Sequence, residues 1–284
     1  MIKELLDEKQ TLSFEVFPPK KEDEFENAQG VLRQLGELSP DFISVTYGAG
    51  GSRSRGTVEI ASFIQNQLHI PALAHLTCVG SSREDILSVA GAMQDAGLGH
   101  VLALRGDRPA WMDDAQFESR AFAHASDLTR FLKENTGLEV GGACYPEKHY
   151  EAPDPDTDLR WLKEKELAGA GFLITQLFFD NSAFYRFLEK KDRAGIRLKV
   201  CAGIMPITSA RQLGTTVTLS GSSVPKQLAD LIAAYGESPE DMRKAGIDYA
   251  VRQILDLKRH GADGIHIYSM NKPKTTREIV NAIR

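Results

Sequence analysis

The sequence predicts an α/β chain folded as a (β/α)8 TIM barrel with extra helices between the seventh and eighth strands. Two observations carry this. Strand-like segments recur along the 284 residues, the first seven starting roughly 27 to 40 residues apart, with amphipathic helix-length stretches between them. Several are apolar nearly throughout, as parallel strands covered on both faces are. An open doubly wound sheet is the alternative topology.

The strands expected in order are Thr11–Phe17, Asp41–Tyr47, Ala72–Val79, His100–Leu104, Glu139–Tyr145, Phe172–Phe178, Lys199–Met205 and Gly264–Tyr268. The first is stopped by Pro18 and Pro19, which fix φ and remove ladder donors. Helices are expected over Glu24–Gly36, Arg55–Asn66, Glu84–Ala96, Ser126–Glu134, Asp158–Ala168 and Ser182–Lys190. Gly36, Gly97, Gly137 and Gly171 stand where helix C-caps are wanted. Ser82 begins a capping box with Asp85, Ser238-Pro239 reads as a cap with proline at the first helical position, and Thr275 opens the terminal helix. The long interval before the eighth strand holds Thr208–Leu219, Val224–Tyr235 and Pro239–Arg259. With no linker or low-complexity segment, residues 1–284 read as one catalytic barrel domain.

At 42% hydrophobic and net charge −5, the composition is that of a globular protein and argues against nucleic acid or an anionic membrane as partner. No window approaches a membrane span, and the start shows no signal peptide. Cys78, Cys144 and Cys201 are odd in number and far apart, which points to buried thiols in a reducing, cytoplasmic compartment.

In such barrels the active site forms at the C-terminal ends of the strands. Those ends supply Glu15, Thr46-Tyr47, His75 and Thr77, Arg105-Gly106-Asp107, Tyr145 to His149, Thr175-Gln176, and Tyr268 to Lys272. Ser13, Glu15 and Phe17 share one face of the first strand. If that face lines the lumen, Glu15 is a carboxyl group whose burial favours the neutral acid; the alternative is an edge glutamate in solvent. Gly48-Ala49-Gly50-Gly51 is glycine-rich but matches neither G-x-G-x-x-G nor a Walker motif. His75 has no partner at metal-ligand spacing, so a hydrogen-bonding histidine is the expectation. Gln176 is an amide in an apolar strand and needs partners if buried.

These segments resemble the successive strand-end motifs of the methylenetetrahydrofolate reductase family. They are Ser13-Phe14-Glu15-Val16-Phe17-Pro18-Pro19-Lys20, Ser44 to Ala49, Ala74-His75-Leu76-Thr77-Cys78, Leu104-Arg105-Gly106-Asp107, Tyr145-Pro146-Glu147-x-His149 and Ile174 to Asp180. Gly203 to Thr208 and His266-Ile267-Tyr268-x-x-Asn271 continue the match. The resemblance implies a barrel with non-covalent FAD that reduces 5,10-methylenetetrahydrofolate to 5-methyltetrahydrofolate, in one-carbon metabolism toward methionine biosynthesis. NADH or NADPH is the implied co-substrate, with ping-pong kinetics and a homo-oligomer as the expected form.

By the same resemblance Glu15 is the general acid and Asp107 lies near both flavin and pterin. Thr46, Tyr47, Ala49, His75, Arg105, Gly106, Tyr145, His149 and Ala152 match flavin contacts, as do Ala125, Ser126, Asp158 and Lys165. Gln176, Gln212, Tyr268 and Lys272 match substrate contacts. Four positions depart from the pattern: Lys272 replaces an arginine, Glu164 a basic residue, Trp161 a polar one, and Thr216 lies where an aromatic ring is usual. Two other readings fit the residues: a partner-dependent subunit taking electrons from a flavoprotein or iron–sulfur protein, and a cofactor-free barrel lyase or aldolase.

Overall fold

The computed structural model describes residues 1–19, 21, 24–47 and 51–284, with no side-chain description for 51–54 and 219. In chain order the elements are α1 (Ile2–Glu8), β1 (Thr11–Val16), α2 (Phe25–Gly36), β2 (Phe42–Val45), α3 (Gly51–Gln67), β3 (Ala72–Thr77) and α4 (Arg83–Asp95). There follow β4 (His100–Leu104), α5 (Asp114–Glu118), α6 (Ala125–Asn135), β5 (Glu139–Cys144), α7 (Pro155–Leu167), β6 (Phe172–Thr175) and α8 (Asn181–Arg193). The chain ends with β7 (Lys199–Ile204), α9 (Ala210–Ser220), α10 (Lys226–Tyr235), α11 (Pro239–Arg259), β8 (Gly264–Tyr268) and α12 (Pro273–Ile283). The strands close in sequence order, each parallel to its neighbours, with β1 pairing β8 from Thr11↔Gly264 to Glu15↔Tyr268. The open-sheet alternative is therefore excluded.

Closure follows from the two-residue period. Phe14 and Val16, Ile43 and Val45, and Ile265 and Ile267 turn outward into the main core against the helices. The opposite faces fill the lumen. At its N-terminal end Phe42, Leu73, Leu102 and Phe172 pack with Ile2 and Leu6 of α1, which plugs that end. The buried Glu139 carboxylate fixes the plug by accepting from Ile2 N and Lys3 N, both at 2.8 Å. These are orphan donors at a helix N-terminus, where a carboxylate is favoured. Higher up the lumen turns polar, through Ser13, Ser44 and His266, all fully buried.

Helix ends refine the sequence expectations. The Ser82 capping box forms, with Asp85 N donating to the hydroxyl at 3.0 Å. Among the four expected cap glycines described, only Gly97 adopts positive φ, at +78°; α7 is turned instead by Gly169, at +102°. Pro239 takes the first turn of α11, but the Ser238 hydroxyl bonds Asp241 Oδ2 at 2.7 Å, not a backbone amide. Thr275 does not open α12. Pro273 begins that helix with Lys272 at its cap, and both threonines are buried in its first turn. The insertion before β8 is α9, α10 and the start of α11, over a satellite core of Leu177, Phe179, Ile207, Leu228 and Met242. All three cysteines are buried and free, and burial raises the Cys78 thiol to about 12. No described helix is long and apolar enough to cross a membrane.

Candidate active site

The strand C-termini open into a cavity of about 1220 Å³. Glu15 lies at its floor, on the lumen face of β1. Its Oε2 is 3.5 Å from His75 Nε2 and 3.8 Å from His266 Nε2, so the solvent-edge alternative does not hold. Burial lowers the pKa of His75, outweighing the opposing pull of Glu15, and keeps the ring neutral at neutral pH. His75 Nε2 is buried without a hydrogen-bond partner, an acceptor or donor left for an incoming group. Below it His266 is held from both sides, by Ser13 Oγ at 2.7 Å from Nδ1 and Ser44 Oγ at 3.2 Å from Nε2.

The β8 exit fastens β1. Ser269 Oγ donates to Glu15 O at 2.6 Å, and Asn271 brackets Phe17 with both amide atoms. Tyr268 OH donates to Thr175 O at 2.7 Å, which ties β8 to β6 across β7. Gly203 makes that crossing possible, because a Cβ there would lie 2.5 Å from Thr175 O and 2.7 Å from Tyr268 OH.

The cavity wall brings together Thr46, Tyr47, His75, Arg105, Gly106 and Asp107 with Ala125, Ser126, Tyr145, His149, Asp158, Lys165, Gln176 and Tyr268. Gly106 turns at φ +85°, and a side chain there would meet Val79 and Thr77. Arg105 forms a two-pronged ion pair with Glu151, with NH2 to Oε1 at 2.8 Å. That pairing draws the Glu151 carboxyl down to about 2. Lys165 Nζ donates to Ala143 O at 2.6 Å, and burial lowers its pKa; Asp158 accepts from His149 N at 3.2 Å, and burial raises its pKa. Ala125 and Ser126 are the first residues of α6, where amides lack helical partners and suit an anion.

Other expected residues stand elsewhere. Ala49 lies outside the described residues. Ala152 is buried behind the wall, bonded through its amide to His149 O. Gln212 lies in a second, adjoining groove of about 410 Å³, and Gln176 lines both spaces. The Gln212 amide is already engaged, accepting from Thr208 N at 3.0 Å and donating to Pro206 O at 2.9 Å. Lys272 is exposed at the cap of α12 and lines neither space.

Sequence reasoning missed His266, Glu151 and Trp111, all close to this chemistry. The two-residue period back from Tyr268 puts His266 on the lumen face and would have found it. Glu151 meets Arg105 across 46 positions, which no local pattern shows. Trp111, 69% exposed at the cavity rim, sits in a stretch with no regular period.

A closed parallel barrel with titratable groups gathered at the strand ends defines a barrel enzyme. The methylenetetrahydrofolate reductase family model matches residues 1–284. The 5,10-methylenetetrahydrofolate reductase of Pectobacterium carotovorum subsp. carotovorum is 33% identical over 272 residues, covering 96% of this chain and 89% of that one. The Escherichia coli (strain K12) protein of the same name is 30% identical, covering 96% and 90%. Among solved structures, a Clostridium thermocellum protein that binds two copies of 5-methyl-5,6,7,8-tetrahydrofolic acid superposes with a TM-score of 0.71 at 15% identity, covering 99% and 98%. The chain belongs to the methylenetetrahydrofolate reductase family, enzymes that reduce methylenetetrahydrofolate.

Proposed function

We propose that this chain reduces 5,10-methylenetetrahydrofolate to 5-methyltetrahydrofolate using non-covalent FAD and NADH or NADPH, with Glu15 as general acid. The observation that carries this reading is the Glu15 carboxyl at the floor of a large cavity, beside a neutral imidazole. The residues present fit the cofactor. The cavity, of about 1220 Å³, sets the cations Arg105 and Lys165 among polar groups and leaves the buried His75 Nε2 unsatisfied. Thr46, Tyr47, His75, Arg105, Gly106, Tyr145 and His149 would hold the ring end, with Ala125, Ser126 and Lys165 toward the phosphates and Asp158 accepting from a cofactor hydroxyl. Bound there, FAD supplies the hydride-carrying chemistry between nicotinamide and folate.

The protein's own part is acid catalysis and orientation. The imidazolidine ring of the substrate opens when its C–N10 bond breaks, the electron pair staying on nitrogen. Glu15 delivers a proton to that nitrogen, leaving an electrophilic N5-iminium and a Glu15 carboxylate. Asp107, exposed on the wall with no hydrogen bond or ion pair among the described residues, is free to accept from the donor edge of the pterin. Gln176, at the junction of cavity and groove, would meet folate and nicotinamide in turn, which predicts ping-pong kinetics.

Anaerobic stopped-flow tests the reading. Bleaching of bound FAD by a nicotinamide, then recovery with methylenetetrahydrofolate, is expected; protein that takes up no FAD would defeat it. One observation favours a second reading, electron delivery by a partner protein. The groove presents buried Thr216 and no aromatic ring among its described lining residues, so a nicotinamide ring entering it meets no aromatic partner. NADH oxidation by the isolated chain separates the two.

A further inference from the structure

We infer that Arg211 is the residue that reads the charged tail of the substrate, binding a glutamate carboxylate of the folate. This rests on the folate reading above. Arg211 stands in the first turn of α9 and lines the 410 Å³ groove, where it is the one ionisable side chain among the described lining residues. Its guanidinium makes no hydrogen bond or ion pair with any described residue. The neighbouring polar groups are already spent. Ser209 caps α9 by accepting from Gln212 N at 3.2 Å, and the Gln212 amide is bound to Thr208 and Pro206. The groove wall is thus held firmly while its cation is left without an anion.

The groove's other surfaces suit the rest of such a tail. Leu177, Met205 and Met270 give an apolar strip for an aromatic ring, and Thr216 stands beside it with a hydroxyl for an amide. Gln176 joins this space to the cavity above Glu15, so a ligand whose reacting ring lies in the cavity can run its tail toward Arg211. The positive end of α9 adds to the attraction for a carboxylate at that point. A guanidinium can also take a carboxylate with two parallel bonds, which a lysine at position 272 cannot.

The test is equilibrium binding to the FAD-loaded protein of 5-methyltetrahydrofolate and of its glutamate α,γ-diamide, which keeps the shape and removes both charges. Arg211→Ala is expected to weaken binding of the acid roughly three- to thirtyfold, between an exposed ion pair and a shielded charged hydrogen bond. Binding of the diamide should stay within about twofold, and Arg211→Lys should fall between wild type and alanine for the acid. An equal loss for acid and diamide would overturn the inference, as would a loss confined to NADH or one that follows Lys272→Ala instead. Unchanged acid affinity in Arg211→Ala overturns it while leaving the folate reading intact. Wild-type protein that binds neither ligand overturns both.

Discussion

The Oε2 atom of Glu15 lies 3.5 Å from Nε2 of His75, an imidazole that burial keeps neutral and that has no hydrogen-bond partner at that nitrogen. The pair stands at the closed end of the cavity, with Tyr268 beside it and the serine-held His266 beneath. A carboxyl so placed can give up a proton to a ligand lying above it. Glu15→Gln keeps the shape and removes the proton donor. Reduction of methylenetetrahydrofolate should fall by at least ~10²-fold, the lower end for general acid catalysis. Nicotinamide-driven bleaching of bound FAD should stay close to wild type, since that half of the cycle needs no proton at N10. Should both half-reactions fall together in stopped-flow, Glu15 is holding the site, not serving as its acid.

Asp107 follows the positive-φ turn at Gly106 and carries its charge on the cavity wall without a counter-ion among the described residues. An unbalanced anion near a bound redox ring opposes the added electrons of its reduced state. Asp107→Asn should therefore raise the midpoint potential of bound FAD, with cofactor affinity largely kept because most wall contacts lie elsewhere. Spectroelectrochemistry on the two proteins decides it; an unchanged or lower potential places Asp107 away from the ring.

Much of this arrangement was legible in the sequence, and each exception has a physical cause. The eight strands were readable because parallel barrel strands are apolar on both faces and recur at a βα interval, so local pattern and global fold agree. Glu15, His75, Arg105 and Tyr268 were legible as cavity residues because the strand C-termini open into the cavity of such a barrel. What escaped lies in elements too short for a period, at helix starts, or in contacts between distant positions. Five-residue α5 is too short for a helical period. Glu151 matters only through Arg105. Lys272 was expected at the substrate, yet Pro273 starts α12 one residue later and leaves the lysine exposed at the cap.

Gly203 carries a prediction about stability that also touches the site. Its missing side chain leaves room for the Tyr268–Thr175 hydrogen bond across the barrel top. In Gly203→Ala the new methyl would press on a backbone oxygen and on the tyrosine hydroxyl, and only the tyrosine can move. Overpacking of this kind costs roughly 1–3 kcal/mol. Urea unfolding should show that loss, accompanied by weaker folate binding as Tyr268 leaves its position. A variant as stable as wild type would mean that the strand shifts to accept the methyl.

The Arg105–Glu151 pair gives the protein a specific acid sensitivity. Its hydrogen bonds draw the Glu151 carboxyl from its ordinary 4.5 down to about 2 in the folded chain. A depressed folded value means that the unfolded chain binds the proton more readily, so acid favours unfolding. The stabilisation is complete above the ordinary 4.5 and is lost as pH falls from there through about 2. Glu151 is 39% exposed at its side chain while Arg105 is 14% exposed, so solvent screens the pair and its contribution is about 1 kcal/mol or less. Glu151→Gln removes the titration and keeps the volume. Urea midpoints of wild type and variant, taken from pH 7 down to pH 2, should differ most at neutral pH and converge in the acid range. A gap that stays constant across that range would assign the effect to packing, and no gap at pH 7 would mean that Arg105 finds another anion when Glu151 is gone.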